Sequence, residues 1–243
     1  MLILDGVTVS FGPVVAVDDV SLRIEAGGRH GLIGPNGAGK STLLAAIAGT
    51  VPARGGFLLA GGELAGLPPH RRARLGVGRT HQHAATCATL TALDNVLLGL
   101  YQQAGPLRAA LRPALRRALT ARATEALATV GLADRATVTA GTLSYGERRC
   151  LELAAALATD PRLLLLDEPA AGLAPAEVDR LARLLADLPA ATTVLIVEHD
   201  LDLVYGLTDT VTVLDNARHL VTGTPAEVRS SPVVRDAFAG VRP

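Results

Sequence analysis

The chain has 243 residues, and its 23 basic and 23 acidic side chains leave no formal net charge. That balance, with no Lys/Arg-rich tail and only three Phe, three Tyr and no Trp, argues against a general nucleic-acid binder and against a membrane-interface belt. Every basic residue but one is arginine; the exception, Lys40, marks a position needing a compact ammonium before any motif is sought.

Hydrophobic residues make up 49% of the chain, yet no apolar run approaches the roughly 18 residues that span a bilayer. The first residues show no basic region leading into a long apolar segment, so no export signal is expected. Cys87 and Cys150 lack the spacing of a disulfide framework or a zinc site and read as buried thiols in a reducing compartment. The length suits one α/β domain, or a core with one insertion.

In chain order, Val7–Ser10 and Val20–Ile24 read as short strands with alternating polarity. Arg29–Ile33 is a strand leading into Gly34, Pro35, Asn36, Gly37, Ala38, Gly39, Lys40 and Ser41, a full match to GxxxxGK[ST]. A helix follows over Lys40–Ala48, closed by Gly49 with Pro52 beyond. Residues 50–67 return to short strands broken by Gly55-Gly56 and Gly61-Gly62, and residues 68–72 read as a turn and helix start. Residues 92–131 are mostly helical, with Pro106 and Pro113 as interruptions. Within them Leu107, Leu111, Leu115 and Leu119 recur at four-residue spacing, as do Arg108, Arg112 and Arg116. This is the pattern of an amphipathic helix with a solvated basic face, and it also suits contact with a protein partner or anionic lipid. From Ser144 onward, helices and apolar strands alternate as in a parallel sheet with crossover helices. Pro175, Pro225 and Pro232 stand where first-turn prolines belong, and Thr224 with Glu227 makes a capping box.

Glycines in the loop over residues 34–41 let backbone amides curl around phosphate oxygens, and the helix start adds its positive dipole end. Lys40 then reaches the β- and γ-phosphates, and the Ser41 hydroxyl ligates Mg²⁺. Leu163–Leu166 is a buried central strand ending in Asp167 and Glu168. Asp167 is placed to hold the magnesium shell, and Glu168 to orient the attacking water. A third strand, Val194–Val197, brings His199 to the same sheet edge, within reach of the γ-phosphate. Ser144, Tyr145, Gly146 and Glu147 open a long helix. Ser144 and Glu147 form a capping box, and the serine hydroxyl with a helix N-terminus also makes a second anion site. Because the chain's own phosphate loop has a complete pocket, that second site is open to another subunit's nucleotide.

Over essentially its whole length the sequence resembles the ATP-binding cassette family. The phosphate loop, Leu-Ser-x-Gly-Glu at residues 143–147, the Asp167-Glu168-Pro169 strand end and Glu198-His199-Asp200 stand in that family's order and spacing. The nearest likeness is to the ATPases of branched-chain amino-acid importers. The resemblance implies an α/β fold: a P-loop NTPase core with a mostly parallel sheet, an N-terminal antiparallel β subdomain and an inserted α-helical subdomain over about residues 83–150. All of this forms a single domain over residues 1–243.

It further implies that Phe11 stacks on adenine, that Thr42 joins the ATP-binding loop and that Gln82 ligates Mg²⁺ and senses a membrane partner. Ser144, Tyr145, Gly146 and Glu147 are expected to face the ATP of the opposite subunit. The implied cofactors are ATP and Mg²⁺. The implied partners are a second cassette, identical or paralogous, a transmembrane permease and, indirectly, a periplasmic or extracellular solute-binding protein, with no nucleic acid. The implied location is cytoplasmic and peripheral, on the inner face of the plasma membrane. A lipid or drug exporter's ATPase, or a soluble cassette ATPase, shares the same catalytic residues. The sequence departs from the family pattern at Tyr145, at His81, at Ala174 and at Asp215-Asn216-Ala217, where a turn glycine is usual.

Overall fold

The computed structural model describes residues 1–80, 86–105, 108 and 111–240. His81, Gln82 and Leu107 lie outside the described residues.

Two sheets organise the molecule. The first is antiparallel, in the order β2-β1-β4-β5, from β1 (Leu2–Phe11), β2 (Val14–Ile24), β4 (Arg54–Leu59) and β5 (Gly62–Glu63). β1 and β2 both begin earlier than their alternation predicts. Register shifts along their pairing, between Leu4 and Val7 and again between Val7 and Val9, break the two-residue period that sequence patterning relies on. β4 likewise runs straight through Gly55 and Gly56, which were expected to interrupt it. Gly56 pairs with Asp5 of β1, and ladder pairing overrides the low strand propensity of glycine.

The second sheet has the order β10-β9-β3-β8-β7-β6. β3 (Arg29–Ile33), β6 (Val77–Arg79), β7 (Leu163–Asp167), β8 (Thr193–Val197) and β9 (Thr210–Asp215) are parallel, and β10 (Arg218–Gly223) closes one edge antiparallel to β9. The β9–β10 turn places Asn216 and Ala217 both at positive φ, 48° and 67°. This is the backbone of a primed hairpin turn, here built without glycine.

Nine described helices cover these sheets: α1 (Lys40–Ala48), α2 (Pro69–Arg74), α3 (Ala92–Ala104), α4 (Pro113–Thr129), α5 (Tyr145–Leu157), α6 (Pro175–Ala186), α7 (Leu201–Leu207), α8 (Pro225–Ser230) and α9 (Pro232–Ala239). Prolines open α6, α8 and α9 as their spacing predicts. Pro113, expected to interrupt a helix, begins α4 instead, because the proline nitrogen costs nothing in a first turn. The leucine stripe is divided accordingly. Leu119 is buried, Leu115 packs partly on the core, and Leu111 before the helix is 73% exposed. Cys87 is exposed and Cys150 half-buried, so Cys87 is not the buried thiol expected of it.

The central strands explain the unbroken leucine run. Leu164, Leu166, Val194 and Ile196 face the core formed with α3, α4, α5 and α6. Leu163, Leu165, Leu195 and Val197 face a second core formed with α1 and the antiparallel sheet. β7 and β8 are thus apolar on both faces, as strands covered on both sides must be. Behind the phosphate loop, the buried Arg72 of α2 donates to the carbonyls of Ala46 and Ile47 at the end of α1 (2.6 and 2.8 Å) and to Leu67 (2.9 Å). Its guanidinium also lies 5.3 Å from the Phe57 ring centre. A cation at this end satisfies carbonyls the helix leaves open and opposes the negative end of its dipole. Among the described residues, no helix is long and apolar enough to cross a membrane.

Candidate functional site: a phosphate pocket at one sheet edge

Because β3, β6, β7 and β8 run parallel, their carboxyl ends reach one edge of the sheet. Leu32 pairs with Val197, and Val197 with Asp167, so the residues that follow these strands start side by side. In open α/β sheets that edge is where ligands bind.

The loop leaving β3 enters α1 through Gly39, which stands at φ 97° as the helix N-cap. A Cβ at Gly39 would run into the carbonyl oxygen of Ala16 on β2, so glycine is required both for the conformation and for the close approach. α1 has no side-chain cap and no acidic residue in its first turn. Its first amides are therefore left to an outside anion. Lys40 is buried and donates to the carbonyls of Gly34 (2.7 Å) and Pro35 (2.9 Å). An ammonium carries three protons, so one remains for a phosphate oxygen. Burial lowers the lysine pKa, while the nearby Glu168 and Asp167 carboxylates pull it back up.

The Ser41 hydroxyl donates to Asp167 Oδ1 at 2.9 Å, joining the phosphate loop to the end of β7. Serine and aspartate oxygens are hard donors, and the pair fits a magnesium ion whose remaining ligands are phosphate oxygens and water. Among the described residues, no cluster of three or more His, Cys, Asp or Glu could hold a metal alone. Ser41 and Asp167 are thus the residues that would hold the ion, in company with the nucleotide. The Arg79 guanidinium lies 3.4 Å from Asp167 Oδ2.

Glu168 follows with φ 50°, a left-handed conformation costing a residue with a side chain about 1–2 kcal/mol. Its amide donates to the carbonyl of Val197 (2.9 Å), so the strain is held by β8. Its Oε1 stands 2.8 Å from His199 Nε2. Glu198, between the two strand ends, is buried and accepts from the amides of Ala170 (2.7 Å) and His199 (3.1 Å). Burial pushes its carboxyl pKa up against the pull of those two amides. One side chain therefore ties the turn after Glu168 to the backbone of His199.

Ala16, Asn36, Gly37, Gly39, Lys40, Ser41, Thr42, Glu168 and His199 line one cavity of about 190 Å³. A larger cavity, about 490 Å³, lies on the outer side of the loop against α9, but Lys40, Asp167, Glu168 and His199 do not line it. Phe11 is not in the wall of the smaller cavity. It stands 51% exposed on the β1–β2 hairpin, beside Val14 and Val15, which are exposed too. Ala16 of the same hairpin touches the phosphate loop, so this apolar lip flanks the pocket.

The segment over residues 144–147 lies apart from that cavity. The Ser144 hydroxyl accepts from the Glu147 amide (3.1 Å), and the Glu147 carboxylate accepts from the Ser144 amide (2.8 Å). The capping box is therefore real, and the Ser144 hydroxyl proton remains unused by it. Gly146 is buried, because the Glu177 carboxylate occupies the space a side chain would need. Ser144 and Tyr145 are the exposed members. Glu177 also accepts from the Ala174 amide (2.9 Å), which gives α6 a cap even though Ala174 has no side-chain oxygen. The Tyr145 ring lies against Gly172, and Arg149 donates to the Glu168 carbonyl (3.3 Å).

Sequence reasoning brought Lys40, Ser41, Asp167, Glu168 and His199 to one place, and the structure puts them there. Gln82 falls outside the described residues. Arg79, Glu177 and Arg149 escaped notice because each acts across a fold contact rather than within a motif. Glu198 offered a signal that was passed over, a carboxylate at the very end of an apolar strand.

The family model described as ABC transporter matches residues 17–171. The chain is 40% identical to the high-affinity branched-chain amino acid transport ATP-binding protein LivG of Salmonella typhimurium, over 99% of this chain and 98% of that protein. It superposes on the ADP conformation of the ATP-binding cassette MJ1267 with a TM-score of 0.87 at 29% identity, covering 99% and 98% of the two chains. A dimeric post-hydrolysis state of the cassette MJ0796, bound to ADP and Pi, matches with a TM-score of 0.80 at 25% identity over 93% of this chain and 99% of that one. With a phosphate pocket built from all three strand ends, this chain belongs to the ABC transporter family and is one of its ATP-hydrolysing subunits.

Proposed function

We propose that the chain binds and hydrolyses ATP with Mg²⁺ to drive uptake of branched-chain or related amino acids through a separate membrane permease. The observation that carries the chemistry is the convergence of Lys40, the Ser41–Asp167 pair and the Glu168–His199 pair on one cavity. The solute is supported by the likeness to LivG over nearly the whole length of both chains.

Lys40 and the open amides of α1 hold the phosphate tail and offset its charge. Ser41 and Asp167 would hold Mg²⁺, which when bound would offset phosphate charge. Glu168 orients water for in-line attack and accepts its proton, while His199 donates a hydrogen bond at the γ-phosphate. Two copies, or this chain and a paralogue, pair head to tail so that Ser144 of each completes the other's pocket. The chain works on the cytoplasmic face of the membrane. A groove of about 410 Å³ between α2, α3 and α5, lined by Leu98, Gln102 and Gln103, receives the permease.

The test is reconstitution with the membrane proteins that copurify with the chain, measuring leucine uptake and ATP hydrolysis together. Uptake that depends on ATP and Mg²⁺ and stops with chelator is the expected result. Hydrolysis stimulated by an exported lipid, with no amino-acid uptake, would overturn the import reading.

A further inference from the structure

The arginines around the start of α4 have no part in the pocket described above. Residues 105–124 carry five arginines and no carboxylate in a chain of zero net charge, so the remainder holds an excess of five negative charges. Arg112, Arg116 and Arg117 are all exposed. Among the described residues, none of the three forms an ion pair or donates a side-chain hydrogen bond. The first turn of α4 contains no acidic residue, so the positive end of the helix adds to their charge where an acidic cap would offset it. Leu111, immediately before them, is 73% exposed, more than any other large apolar side chain described.

We infer that Leu111, Arg112, Arg116 and Arg117 form a contact for an anionic phospholipid surface. The inference rests on the reading that the chain works beside a membrane. Guanidinium groups match phosphate in fork geometry, and a bilayer interface presents phosphate and hydrocarbon at adjacent depths. An acidic protein segment would satisfy the charges but would leave Leu111 in water. The few aromatics of the chain disfavour a nucleic acid. The patch also follows in the chain from the helix that lines the proposed permease groove. α3 carries Leu98 and Gln102 in that groove, ends at Ala104 and packs against α4.

The experiment is co-sedimentation of the purified full chain with phosphatidylglycerol vesicles and, separately, phosphatidylcholine vesicles, with neither permease nor nucleotide present. The chain should bind the anionic vesicles, release them as salt rises and bind the zwitterionic ones far more weakly. The combined variant Arg112→Gln, Arg116→Gln, Arg117→Gln should lose on the order of a hundredfold in vesicle affinity, at roughly fivefold per arginine. Leu111→Ser should lose about tenfold. Neither variant should change ATP hydrolysis in solution or the melting temperature. Equal binding to both lipids, or undiminished binding by the triple variant, overturns the inference. So does a triple variant that keeps vesicle binding but no longer copurifies with the permease, which would assign the patch to protein. Failure of amino-acid uptake with vesicle binding intact would fault the importer reading alone.

Discussion

The phosphate loop and the segment at Ser144 both place glycine beside a helix N-terminus, yet they treat that terminus in opposite ways. α1 begins with no cap and no acidic residue, so its amides await an anion. α5 begins with a complete capping box, in which the Glu147 amide donates to Ser144 and the Ser144 amide to Glu147. A capped helix is no longer a strong anion site in its own right. What the segment still offers is the Ser144 hydroxyl proton, on an exposed side chain, and the first-turn amides that the box does not use. The contrast teaches that an anion meets more open amides at α1, which has no cap of its own, than at α5, which its own side chains cap.

The largest expected effect tests whether the first site is also the chemical one. Glu168→Gln should retain ATP binding and accumulate a stable dimer while turnover falls by a factor of 10²–10³ or more, a loss of roughly 3–4 kcal/mol of barrier stabilisation. Wild-type turnover in that variant would remove Glu168 from the mechanism.

Next in size is Lys40→Arg, which keeps net charge at zero. A planar guanidinium cannot donate to both the Gly34 and Pro35 carbonyls from the ammonium's position and still reach phosphate. Hydrolysis should fall on the order of a hundredfold, read as steady-state phosphate release.

The comparison itself is sharpened by Ser144→Asp. Aspartate caps a helix as well as serine does, so the melting temperature should hold within a few degrees. A carboxylate nonetheless brings a negative charge to the approaching γ-phosphate, and hydrolysis by the paired cassettes should fall at least tenfold with ATP affinity of the single chain unchanged. Equal activity would confine Ser144 to capping.

The smallest effect concerns stability beneath the phosphate loop. His30 on β3 is buried, hydrogen-bonded to the Thr212 hydroxyl at 2.8 Å, and desolvation lowers its pKa to about 4. Between that value and the ordinary histidine value of about 6.5, the unfolded chain binds the proton that the folded chain refuses. Stability therefore rises with pH across this window, and the protein should lose roughly 2 kcal/mol between pH 7 and pH 5 through this residue. His30→Gln should flatten that part of the curve in urea titrations, and an unchanged slope would assign the acid sensitivity elsewhere.

What could be read from the chain beforehand follows the same division. The phosphate loop was legible because every requirement in it is local: a strand, glycines, one ammonium and a hydroxyl in eight consecutive positions. Asp167, Glu168 and His199 were legible because parallel strands force their ends together. The burial of Gly146 was not, since its neighbour Glu177 lies thirty-one residues away and meets it only through the packing of α6 on α5. Arg72 looked like part of an ordinary turn, because nothing in residues 68–72 announces the end of α1. The leucines at 111, 115 and 119 misled for a simpler reason: spacing of four implies one helix, and Pro113 starts a helix in their midst.

The contacts of Tyr145 with Gly172, of Gly146 with Glu177 and of Arg149 with the Glu168 carbonyl join the exposed Ser144 to the backbone that carries Glu168. Glu168, at the far end of these contacts, is a residue held in a left-handed conformation. In the head-to-tail pair proposed above, each nucleotide would meet the serine of one chain while the glutamate of that same chain faces the other nucleotide. Under that proposal, any effect of one nucleotide on the binding of the other is reciprocal in free energy.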